Sequence, residues 1–343
     1  MADGIVQSFR HATWRISTAL VLAAMLVAQP SQAAEPPKRN LDELFNAVVR
    51  VMATVPAEAR TAPSLGQERA GNGIVIDADG LVLTIGYLIL EADKIVVMPP
   101  GGTAAMARFI AYDHETGLGL VRTTRKLDVK PMPIGDSRTL KPRDTLVVSG
   151  FGGRTRARPA TIVSRRDFAG YWEYLLEGAI FTAPIYRNFG GAALIGLDGT
   201  LVGVGSLAVP DAGGPGKRLP GNMFIPIEKL KPILADLLNH GRTQGPRKPW
   251  LGAFTREGPA QQVMVVQVSP DGPAAKAGIR PGDLVLEVGG RKIAGQLDFY
   301  RTFWAAGKPG ARIAITISRG SQASTVTVTA GDRYEWLKMG KRG

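Results

Sequence analysis

From Gly71 onward the chain returns repeatedly to short Val/Ile/Leu runs separated by Gly, Asp and Pro, at residues 74–76, 81–84, 94–98, 118–122, 145–149, 161–163, 174–176, 192–195 and 201–206. Each run suits a strand and is too short for an amphipathic helix, and the residues between them fix tight turns. Many short strands in succession must hide their edges, which closed antiparallel barrels do. Upstream, Leu41 to Val51 reads as a short helix running into a strand. The rhythm changes at Ile227–Leu238, where Ile227, Leu230, Ile233, Leu234, Leu237 and Leu238 share one face of a predicted helix ending near Gly241. Residues 241–249 are rich in Gly, Pro and charge, the composition of a linker. A second unit begins at Trp250, with predicted strands at 263–268, 284–288, 312–318 and 325–329 and a helix over Gln296 to Ala306. A chain of 343 residues holds two such domains, and the fold class predicted is mainly β.

Apolar residues make up 45% and charged residues 21%, the balance of a globular chain rather than a disordered or multi-span membrane one. There is no cysteine, which excludes disulfides, thiolate nucleophiles and Cys-ligated metals. The three histidines, His11, His114 and His240, are isolated, and no phosphate-cradling Gly-Lys loop occurs, so neither a metal nor an organic cofactor is expected. Arg10 and Arg15, an apolar stretch from Ile16 to Ala28, Pro30 and the small-residue exit at Ser31–Ala34 have the layout of a secretory signal. Residues 1–34 are therefore expected to be removed, since about 13 apolar residues fall short of the roughly 20 that cross a bilayer. No other segment reads as a transmembrane span, and the mature chain is expected to be secreted, most simply into a periplasm. Two arginines and one aspartate leave with the signal, so the net charge of +13 becomes +12. Its densest part, from Arg138 to Arg166, reads as a solvated basic face, and without a stacking or groove-reading motif no nucleic acid is expected as partner.

The stretch "GNGIVIDADGLVLTIGYLILEADKIVV", with "YDHETGLGLVR", "TAPIYRNFGGAALIGLDGTLVGVGS" and the C-terminal unit, resembles the HtrA family of trypsin-like serine proteases of the DegP and DegS type. The corresponding family stretch reads like G-S-G-F-I-I-D-x-x-G-Y-I-L-T-N-x-H-V-V. The likeness runs over about residues 41–333. It implies a trypsin-like double β-barrel over 41–240, a linker at 241–249 and a PDZ domain over 250–333.

Family catalysis needs a serine nucleophile, a histidine to take its proton and an aspartate to orient the imidazole. The resemblance places the histidine position at Tyr87, the aspartate position at Gly117 and the serine position at Phe189. A phenol is a poor proton acceptor at neutral pH, glycine carries no carboxylate, and a benzyl group cannot be acylated. The glycine of the oxyanion hole is replaced by Arg187, where a side chain hinders the turn of the backbone N–H toward developing charge. His114, His240, Ser149 and Ser206 match no catalytic position. The resemblance therefore points to a catalytically degenerate member whose Tyr87 and Phe189 fill the vacated cleft.

In "PWLGAF", residues Trp250, Leu251, Gly252 and Ala253 resemble the carboxylate-binding loop of HtrA-type PDZ domains, where successive N–H groups surround a peptide's terminal carboxylate and the next strand pairs with the peptide. The other groove wall is expected from helix 296–306, with Leu297, Tyr300 and Trp304 at spacings of three and four, while Phe299 and Phe303 on another face belong to the core. The expected partners are C-terminal or unfolded peptides. The family implies a homotrimer, or a hetero-oligomer in which this chain regulates active HtrA-type proteases. An active endopeptidase with a non-standard site is the alternative.

Overall fold

A computed structural model describes residues 41–339, which leaves the predicted signal peptide and the segment before Leu41 outside the described residues. The chain opens with helix α1 (Leu41–Asn46) and strand β1 (Val48–Thr54), followed by the short helix α2 (Ala62–Leu65). Strands β2 (Glu68–Val75), β3 (Leu81–Ile85), β4 (Lys94–Met98), β5 (Ala105–Tyr112) and β6 (Leu118–Thr123) close with β1 into a barrel of order β1-β2-β3-β6-β5-β4. A second closed barrel, of order β10-β11-β12-β9-β8-β7, is built from β7 (Thr145–Ser149), β8 (Ala157–Gly170), β9 (Tyr174–Ala183), β10 (Ala193–Ile195), β11 (Leu201–Val209) and β12 (Gly221–Pro226). Closure leaves neither barrel an open edge.

Helix α3 (Leu234–His240) is shorter than predicted: Ile227–Lys229 forms a 3-10 turn, and the α-helix begins only after Pro232. Proline donates no N–H and crowds the preceding turn, so the apolar stripe is carried by two pieces. Ile227, Leu230 and Leu237 are buried as expected, whereas Leu238 is exposed. Gly241 closes the helix in the left-handed region at φ 75°, its N–H bonded to the Leu237 carbonyl.

The C-terminal unit is a sheet of order β13-β14-β15-β17-β18, formed by β13 (Ala253–Glu257), β14 (Val263–Val268), β15 (Leu284–Val288), β17 (Arg312–Arg319) and β18 (Gln322–Thr329), with the short β16 (Arg291–Lys292) on β15. Helices α4 (Pro273–Lys276), α5 (Gln296–Ala305) and α6 (Arg333–Trp336) accompany it. Phe299, Phe303, Ile315 and Val265 centre its core, so Phe299 and Phe303 take the core face of α5 as their spacing predicts. Strand β13 lies at the edge of the sheet.

Strands β8 and β9 run well past the segments read in the sequence and pair as far as Gly170↔Tyr174. Their far ends form an arm whose Ala169 and Leu175 pack against the core of the C-terminal unit. Among the described residues no helix is long and apolar enough to cross a membrane.

Candidate functional site

The cleft positions of the barrels meet at the end of β3. Tyr87 sits on the 3-10 turn Gly86–Leu88 and packs against the barrel core. Its hydroxyl donates to the Ser206 carbonyl at 3.0 Å, tying the first barrel to β11 of the second. A Cβ built on Gly190 would stand 2.7 Å from that hydroxyl, so Tyr87 lies directly against the loop that carries Phe189. Burial pushes the Tyr87 phenol well above its ordinary range, which leaves it a fixed donor and no base.

Gly117 adopts φ +78°, and its carbonyl accepts from Gly86 N at 2.7 Å, holding the two turns together. A Cβ at Gly117 would stand 3.3 Å from the hydroxyl of Tyr174, which itself donates to the Thr116 carbonyl at 2.7 Å. The position thus combines a backbone that favours glycine with a neighbour already in contact range. Nearby Asp113 is committed to the same turn, accepting from Thr116 N at 2.8 Å and Thr116 Oγ1 at 2.7 Å.

Phe189 is half-buried and joins none of the described hydrophobic clusters, whereas Tyr87 packs against one. Its loop is held instead by Asn72, fully buried, whose side-chain amide donates to the Asn188 and Gly190 carbonyls at 2.8 and 2.9 Å and whose Oδ1 accepts from Phe151 N. Asn72 escaped the sequence reading, although it stands where the family stretch G-S-G has serine. Positive φ among the described non-glycine residues is confined to Glu91, Arg143, Glu173, Gln261 and Asp271, so Arg187 does not adopt a left-handed turn. Ser149 and Ser206 are both buried, and His240 is exposed on α3.

His114 is a connector. Its Nδ1 faces the Tyr112 hydroxyl at 2.9 Å and the Arg333 guanidinium at 3.1 Å, and its Nε2 faces the Glu173 carbonyl at 3.1 Å. A guanidinium only donates and a carbonyl only accepts, so the ring is the neutral tautomer with its proton on Nε2. Burial and then the charge of Arg333 hold it well below its ordinary value.

In the C-terminal unit the Leu251–Ala253 loop meets a carboxylate from within the chain. Glu173, at the β8–β9 turn, is 2% exposed and presents its carboxylate to Leu251 N at 3.0 Å and Ala253 N at 2.9 Å. Gly252, at φ 75°, lets the loop curl around it. Burial pushes the Glu173 carboxyl above its ordinary range, against which Arg333 and the loop N–H groups work. Trp250 is wall rather than contact: it is buried, pairs in an isolated bridge with Gly331, and has its ring 4.8 Å from that of Trp336.

Tyr300, expected to choose a peptide's last side chain, is 1% exposed and uses its hydroxyl on the arm: it donates to the Gly170 carbonyl at 2.7 Å and contacts Thr255 Oγ1 at 2.9 Å, while Gln296 Nε2 donates to it at 3.1 Å. Burial pushes its phenol up to about 12. Trp304 stacks on Tyr300 with centroids 5.5 Å apart, so those two share a face as predicted, while Leu297 is half-buried and outside the described core cluster. Glu173 was not foreseen; its only sequence signal was a carboxylate in an aromatic turn, "GYWEY", far from the loop it reaches. Among the described residues no group of three or more His, Asp or Glu could hold a metal ion.

A trypsin-like peptidase domain model matches residues 71–204, and a PDZ domain model matches residues 237–330. The chain is 27% identical over 296 residues to a probable periplasmic serine endoprotease DegP-like of Pseudomonas fulva, covering 81% of this chain and 60% of that one. It is 26% identical over 289 residues to serine protease HTRA1 of Xenopus tropicalis, covering 76% of this chain and 59% of the relative. The chain thus spans about 60% of the length of the curated relatives it matches. Among solved structures, HtrA-type protease AlgW with decapeptide shares the fold at a TM-score of 0.50 and 21% identity, over 85% of this chain and 98% of that one.

Proposed function

We propose that this chain, a member of the HtrA family with a trypsin-like domain followed by a PDZ domain, is an exported pseudoprotease that binds peptides or unfolded proteins and does not cut them. The observation that carries the reading is the state of the three catalytic positions. Tyr87 is a buried hydroxyl donor bonded to Ser206, Gly117 offers no carboxylate, and Phe189 offers no nucleophile. Without nucleophile, base or orienting acid, losses on the order of 10^3 to 10^6 in turnover are usual in serine proteases. Export is supported by the leader-like first 34 residues and by the periplasmic naming of the DegP-like relative. Peptide binding is supported by the loop at Leu251–Ala253, whose N–H groups converge on a carboxylate, and by the edge strand β13 beside it.

The second reading, an active endopeptidase, is favoured by the names of the relatives, which are serine endoproteases. Incubation of the purified chain with unfolded casein separates the two. Intact casein after prolonged incubation is expected; degradation that persists through repurification and resists mutation of contaminants would make the enzyme reading correct. A structural role beside active family members is tested by co-expression, where mixed oligomers would be recovered.

A further inference from the structure

The arm formed by β8 and β9 lies in the C-terminal unit as a peptide would. The Glu173 carboxylate sits between Leu251 N and Ala253 N. Two residues earlier, the Tyr171 carbonyl accepts from Thr255 N at 2.8 Å on the open edge of β13. A peptide added to a sheet edge makes these same two kinds of contact, a carboxylate in the loop and a main-chain bond to the edge strand, two residues apart. Tyr300 on α5 closes the groove over the segment, donating to the Gly170 carbonyl and accepting from Glu173 N at 3.3 Å. From outside, Arg333 donates to the Trp172 carbonyl at 2.8 Å and His114 to that of Glu173. The Glu173 backbone stands at φ 55°, a region glutamate seldom adopts, and this bend is what directs the carboxylate into the loop.

We propose that residues 170–173 are the resident ligand of the PDZ groove, the Glu173 side chain standing in for a peptide's terminal carboxylate, and that extended peptides with a free carboxyl terminus bind there only by displacing the arm. The tether gives the resident a high effective concentration, and a free peptide sees only the fraction of molecules in which the groove is open. The ligand class that follows is a chain end with a carboxylate and enough extended backbone to reach Thr255. The inference rests on the peptide-binding reading for its consequence and on the Glu173 contacts for its substance.

The test uses the full chain, its Glu173→Gly variant, which removes the carboxylate and suits the left-handed turn, and Glu173→Gln as a milder second variant. The probe is a fluorescein-labelled peptide pool with randomised apolar final positions, made with free and with amidated carboxyl termini. Hydrogen exchange is followed at the Leu251 and Ala253 amides without peptide, and thermal unfolding verifies that each variant is folded. Expected are faster exchange at both amides in Glu173→Gly and binding of the free-carboxyl pool at least about tenfold tighter than by the wild type. The same direction and a smaller size are expected in Glu173→Gln, and no gain is expected for the amidated pool. Equal binding by wild type and Glu173→Gly overturns the resident ligand and leaves the peptide-binding reading standing. Absence of binding by either protein, with faster exchange in the variant, keeps the resident ligand and removes the peptide-binding reading. Unchanged exchange without binding removes both, and a gain shared by the amidated pool overturns the carboxylate match.

Discussion

Tyr87, Gly117 and His114 each show how one residue's surroundings decide what its chemistry can do. The Tyr87 hydroxyl has a single described partner, the carbonyl of buried Ser206, so Tyr87→Phe is expected to lower stability by about 1 kcal/mol in a urea titration. Gly117 at φ +78°, with Tyr174 in reach, makes an aspartate there strained. The combined variant Tyr87→His, Gly117→Asp, Phe189→Ser is therefore expected to leave casein uncut and to lose about 1–2 kcal/mol of stability from the left-handed backbone alone. Casein cleavage by that variant would show that the strain at 117 does not matter. For His114 the folded value lies well below 6.5, so the unfolded chain binds the proton that the native chain refuses. Stability must then fall as pH drops below 6.5, by up to about 1.4 kcal/mol per pH unit until the folded ring titrates. Glu173 acts with the opposite sign, because a raised carboxyl favours the native state as pH falls. The difference between wild type and His114→Gln in urea titrations at pH 7.5 and 5.5 isolates the histidine, and an equal acid loss in both proteins would count against its role.

At the scale of elements, the barrels are legible because turn residues separate their strands, whereas the apolar stripe of residues 227–238 predicts one helix that Pro232 divides into two pieces. The β8–β9 arm was seen only as two short strands. Its outer half carries Arg165, Arg166 and Asp167, which break apolar alternation, and it is stabilised by partners from elsewhere: Arg166 donates to the Asp211 carbonyl at 3.0 Å, and Asp167 accepts from Arg301 of α5 at 2.6 Å. Helix α5 also holds the arm through the Tyr300 hydroxyl. Tyr300→Phe leaves the Gly170 carbonyl without its described partner in a buried site, and a loss of about 1–3 kcal/mol is expected from denaturant unfolding.

Across the whole molecule, the described residues belong to one compact unit, although the sequence reads as two domains joined by a linker. The residues after β18 account for part of this. Leu337 packs with Leu90 and Tyr112 of the first barrel, Lys338 N donates to Glu91 at 2.7 Å, and the Tyr334 hydroxyl accepts from His114 N at 2.9 Å. The first barrel, the arm of the second and the PDZ unit are thus clasped through Arg333, His114 and Glu173. A single cooperative calorimetric transition is expected for the wild type, and Arg333→Ala, which cuts the bonds to Trp172 and His114, is expected to broaden or split it. Two resolved transitions in the wild type would mean that the clasp does not couple the domains.

The sequence by itself determined the order of the domains and the mainly β class, because strand rhythm and turn residues are local facts with local physical causes. Its likeness to the family also marks Trp250–Ala253 as a carboxylate-binding loop. What fills that loop was decided only by the tertiary structure. Glu173 lies 78 residues before Leu251, on a turn whose left-handed backbone and long arm bring its carboxylate to those N–H groups, and no local pattern encodes a meeting set by packing over that distance.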